Sequence, residues 1–153
     1  MYSIDIYIQN RRLIQAALAG LSEEAYFTIP QGFDNNIAWN LGHIIVTQQA
    51  LHYRLSGLPT VTTKEDVAMF KTGSSPADWL HEPDTGRLLA LLAETPQKLK
   101  QDYKAGLFAS FHPYTTFAGI ALETIEDALT FNNFHEGLHL GSILALRDFT
   151  NDG

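Results

Sequence analysis

The chain has 153 residues, 45% of them hydrophobic and 18% charged, with a formal net charge of −7. That length fits a single domain over residues 1–153, able to bury roughly 70% of the surface its unfolded form exposes. The scattered Lys and Arg residues form no basic footprint, which argues against nucleic acid as a partner. With no cysteine present, a transition-metal site could draw only on imidazole and carboxylate.

In chain order, the first predicted helix covers residues 3–20 and sets Ile4, Tyr7, Ile14, Leu18 and Leu21 on one side. Nothing in its first residues resembles a secretory signal, so a cytoplasmic location is expected. Arg11 falls inside the apolar seam. Its expected arrangement is a packed stem with the guanidinium in solvent, the alternative being a counter-charge for a bound anion.

A second helix over residues 36–56 stops at Gly57 and Pro59. Residues 35–53 hold no Asp, Glu, Lys or Arg over 19 positions, but three Asn, two Gln and two His among them argue against a membrane span.

A loop region with Pro76 and Pro83 follows. The third helix starts after Asp84, an expected N-cap, and runs to about residue 105 with Leu88, Leu91, Leu92 and Leu99 inward. Pro96 inside it predicts a kink. Residues 106–123 read as an irregular crossover. Thr124, with Asp127 three positions on, opens a last helix to about residue 149. Four long helices without alternating strands predict an all-α fold, a four-helix bundle with a long crossover before the last helix.

His135-Glu136-Gly137-Leu138-His139 is the one compact motif. Residues four apart share a helix face, so both imidazoles can reach one ion. The third ligand expected is His43. On the last helix Ala128, Asn132, His135, His139, Ser142 and Leu146 form a stripe with spacings of four, three, four, three and four. On the second helix Asn36, Asn40, His43, Thr47, Ala50 and Arg54 repeat those spacings. Uncharged amides and hydroxyls beside the histidines suggest a lined polar pocket, with Asn36, Asn40 and Asn132 as partners to the ligands. Three imidazoles leave a coordination position open, as catalytic sites do.

His52, His81 and His112 are read as surface or packing residues. Glu136, about 100° around the helix from His135, is read as a solvated acid in preference to a catalytic one. The literal match to the zinc-protease motif is set aside, because Ser142 and Ala145 stand where its longer form needs Gly and His. Gly137 and Gly141 each cost about 1 kcal/mol relative to Ala. The expected compensation is close approach of another helix, from this chain or a second subunit.

Asn36-Ile37-Ala38-Trp39-Asn40-Leu41-Gly42-His43-Ile44 and His135-Glu136-Gly137-Leu138-His139-Leu140-Gly141 together resemble the DinB-like superfamily, and the likeness covers nearly the whole chain. The resemblance implies a four-helix bundle, often a homodimer. It also implies a three-histidine site at His43, His135 and His139 for a divalent transition metal, zinc or nickel first, manganese or iron next. The implied activity is a metal-dependent transferase using a low-molecular-weight thiol cosubstrate and a small electrophile, with a hydrolase as a close variant. A structural, regulatory or catalytically inactive metal site is the alternative.

Overall fold

The computed structural model describes residues 1–150. Its long helices are α1 (Tyr2–Leu18), α3 (Ile37–Gln48), α5 (Thr85–Lys104) and α6 (Ile125–Thr150). Each has α1 or α3 on one side of the contact and α5 or α6 on the other, in the cyclic order α1, α5, α3, α6. The all-α expectation holds, and among the described residues no helix is long and apolar enough to cross a membrane.

Two apolar clusters fix the direction of each helix. Ile4, Tyr7, Ile8, Tyr53, Leu99, Ile125 and Leu129 gather at one end. Ile14, Leu18, Ile37, Leu41, Leu88, Leu92, Ile143 and Leu146 belong to the other. So α1 and α6 run one way while α3 and α5 run the other. The connection joining parallel helices is therefore residues 55–84, between α3 and α5. The long segment before α6 carries the short ribbon β1 (Tyr114–Thr115) and β2 (Ala121–Leu122). It reverses direction at one end of the bundle, where the Tyr103 hydroxyl at the end of α5 donates to Glu126 at the start of α6 (2.8 Å).

Local signals account for most boundaries. Asp84 caps α5 by accepting from the Arg87 N–H at 3.0 Å, and Thr124 caps α6 by accepting from the Asp127 N–H at 3.2 Å. The α5 helix is continuous through Pro96.

The connection 55–84 is not all loop, as the sequence had suggested. It contains α4 (Lys64–Phe70), opened by a reciprocal capping box between Thr63 and Asp66. A second short helix, α2 (Glu23–Phe27), lies between α1 and α3.

The second predicted helix also changes character. After Gln48 it widens into a π segment, Gln49–Arg54, in which the Leu55 N–H reaches back to the Ala50 carbonyl at 3.1 Å. The wider turn carries Gln49, Leu51, His52 and Tyr53 into the interior together. There the Gln48 amide donates to His52 Nδ1 at 3.0 Å, and the Gln49 amide donates to Gln48 at 2.9 Å.

Candidate metal centre

His43 on α3 faces His135 and His139 on α6 because the two helices run antiparallel side by side. One ring nitrogen from each of the three lies within 4.8 Å of the others. His43 and His135 are buried and His139 is half-buried.

Two of the rings are oriented by hydrogen bonds that fix their tautomers. His43 Nδ1–H donates to the Phe70 carbonyl at 2.7 Å, leaving Nε2 with a lone pair. His139 Nδ1–H donates to Asn40 Oδ1 at 2.8 Å. The Asn40 amide is itself fixed, since its Nδ2 donates to Asn35 Oδ1 and to the Asn36 carbonyl, both at 2.9 Å. Such outer partners hold ligand rings in register.

The indole of Trp39, one turn before His43, stacks on the His43 ring with centroids 4.6 Å apart and planes 9° from parallel. Below Phe70 lies Gly42, where an added Cβ would overlap the phenyl ring. Glycine there lets α4 settle close enough for its last carbonyl to reach His43.

His43 Nε2 and His135 Nε2 stand 3.1 Å apart. With the first a bare lone pair, the contact requires a proton or a cation between the two nitrogens. Two nitrogens bound tetrahedrally to one ion at about 2.05 Å are separated by about 3.3 Å, so the observed spacing fits a shared ion. His135 Nδ1 is buried without a partner.

Burial lowers the basicity of all three rings. His43 is shifted down, its bond to Phe70 opposing. His139 falls to about 4, through burial and the nearby His43, and His135 to about 3, through burial and then its two neighbours. All three are neutral at pH 7, the form that ligates metal.

The remaining expected site residues divide. Asn40 touches a histidine. Asn36 instead caps α3, accepting from the Trp39 N–H at 2.8 Å and donating to the Phe27 carbonyl at 3.1 Å. Asn132 donates to Glu136 at 3.4 Å. His52 is fully buried beside Tyr7, ring edge to ring face; His81 and His112 are exposed.

Glu136 is not a solvated acid, nor does Arg11 reach solvent. Both are fully buried. Arg11 Nε donates to both Glu136 oxygens at 2.9 and 2.7 Å, and Nη2 donates to Oε1 at 2.7 Å. The 100° offset from His135 points Glu136 at α1, because α6 is flanked by α3 on one side and α1 on the other. Burial raises the Glu136 carboxyl, with Arg11 opposing. Arg11 cannot lose its proton, and neutral Glu136 would strand a buried guanidinium, so the pair is ionic. A catalytic role for Glu136 has no support in this geometry, since its carboxylate is consumed by Arg11. Trp39 and Phe70 escaped the sequence reading. Trp39 shares a helix face with His43, a readable signal, whereas the Phe70 contribution is a main-chain carbonyl.

An antiparallel helix pair converging three neutral imidazoles defines a class of helical bundles built around a histidine cluster able to hold a metal. The sequence profile of the DinB superfamily matches residues 6–143, and the chain belongs to that superfamily. No curated protein matches it closely enough to suggest a reaction.

Proposed function

We propose that the chain is a metal-dependent enzyme in which His43, His135 and His139 ligate one divalent ion, zinc or nickel. The observation that carries this reading is the pair of ring nitrogens facing each other at 3.1 Å, with the third ring beside them. Bound there, such an ion acts as a Lewis acid that lowers the pKa of a thiol or water molecule.

The chain's own residues do the positioning. Phe70 and Asn40 aim two rings, Trp39 covers one side of His43, and the Arg11–Glu136 pair ties α6 to α1 beside His135. The reaction class proposed is transfer from a low-molecular-weight thiol to a small electrophile, with hydrolysis as its close variant. A cytoplasmic setting belongs to the same proposal, since a thiol cosubstrate stays reduced there.

A homodimer completes it. Among the described residues nothing approaches a Cβ built on Gly137 or Gly141, and a second copy is the neighbour proposed. Phe134 and Leu138, on the same outer face of α6, are each 50% exposed. A second copy seated there would account for both the glycines and the exposed apolar side chains.

Elemental analysis of untagged protein beside His139→Ala tests the site. Wild type should carry about one first-row divalent ion per chain and the variant far less. Wild type without metal, and without stabilisation by added zinc or nickel, would sink the proposal. Thiol turnover unchanged by chelation would remove its enzymatic part.

A further inference from the structure

A cavity of about 300 Å³ opens between the α3–π segment, α4 and β1. Val46, Leu51, Leu55 and Val67 form its apolar lining, and Arg54 and Lys71 are the charged residues. A smaller hollow of about 210 Å³ shares Arg54 and Val67 and adds Lys64. Lys64, Val67 and Lys71, spaced by three and four along α4 and the residue that follows it, line the hollows, Lys64 the smaller, Lys71 the larger and Val67 both.

The sequence has 17 acidic residues against ten Lys and Arg, yet among the described residues no Asp or Glu lines either hollow. Among the described residues Arg54, Lys64 and Lys71 make no ion pair. Of the two acids on α4, Asp66 is held by Arg87 through two contacts of 2.7 Å, and Glu65 meets His81 at 3.0 Å. Three cations without acidic partners around apolar walls, in a protein of net charge −7, complement a ligand that is itself anionic and partly apolar.

None of the three histidines lines the cavity, but two of its lining residues are sequence neighbours of the site. Thr47, one turn beyond His43 on α3, lines it, and Lys71 follows the residue whose carbonyl holds His43.

We propose that this cavity binds a small organic acid, its hydrocarbon body against Val46, Leu51 and Val67 and its carboxylate between Arg54 and Lys71. The binding stands on the cavity alone and is independent of the metal-dependent reading above.

The test titrates 4-phenylbutyrate, the uncharged 4-phenylbutan-1-ol and inorganic phosphate into the full chain, with and without zinc, by calorimetry and methyl NMR. The acid should bind at one site, shifting the Val46, Leu51 and Val67 methyls, and the alcohol should bind about tenfold more weakly. Arg54→Gln and Lys71→Gln, both at exposed positions, should each weaken the acid by about fivefold or more. Absence of saturable binding, equal affinity for acid and alcohol, phosphate binding as tightly as the acid, or unchanged affinity in both variants would each overturn the proposal. Acid binding by a protein that takes up no metal would retain this inference and remove the metal-dependent function. Metal uptake without acid binding would do the reverse.

Discussion

Arg11 and Glu136 lie 125 residues apart in sequence and share three charge-assisted hydrogen bonds out of reach of water. Removing one partner leaves the other charged and buried. Arg11→Met alone should therefore cost about 3–5 kcal/mol in urea unfolding, whereas Arg11→Met with Glu136→Leu should be more stable than that single variant. If the double variant is the less stable of the two, Glu136 left without Arg11 is not a stranded buried charge. This pair also marks where sequence reading stopped. The histidines were legible because each sits in an uncharged stripe of matching period, a local pattern. Arg11 carried a hint, an arginine centred in an apolar seam, but long basic side chains commonly thread their charge out to water. Its partner lies on another helix, where no spacing rule reaches.

Among the elements, α4 was missed although its capping box, Thr63 with Asp66, can be read from sequence; seven residues amid Pro and Gly gave too short an apolar period. Its contact with α3 predicts that Gly42→Ala will force the buried Phe70 ring aside. The expected cost is about 1–3 kcal/mol, visible in thermal melts, with weaker metal retention because the carbonyl holding His43 moves with α4. The π segment was equally unforeseen, since its residues fit an ordinary helix and the contacts that accompany the wider turn, Gln48 with His52 and Tyr53 with Asp102 among them, form only inside the bundle. His52, fully buried, has its pKa depressed to about 3 by burial, against about 6.5 in the unfolded chain. Below pH 6.5 the unfolded chain takes up the proton first. The stability of the neutral ring is thus complete above that pH and is lost as the pH falls toward 3, by about 1.4 kcal/mol per pH unit. Chelator-treated wild type should show this decline between pH 6 and 4, added to that of the site histidines, and His52→Gln should show a shallower one. Equal slopes would mean that His52 is hydrated in the folded protein.

At the scale of the molecule, the four helices and their order were legible from periodicity and caps. Their directions were not, because direction depends on which ends share a core. The outer face of α6 gives the whole-molecule prediction: wild type should run as a dimer in light scattering, and Leu138→Glu should halve its mass without changing its helical content. A wild-type monomer at high concentration would dismiss the interface. One further consequence concerns synthesis. His43 and His135 are 92 residues apart, so at about 5–20 residues per second the ribosome delivers the second roughly 5–18 s after the first. Throughout that interval His43 waits on a nascent chain without either of the two histidines it faces in the fold. The α6 pair then arrives together on a single turn of helix, so an ion bound as proposed would be captured only as α6 docks against α3.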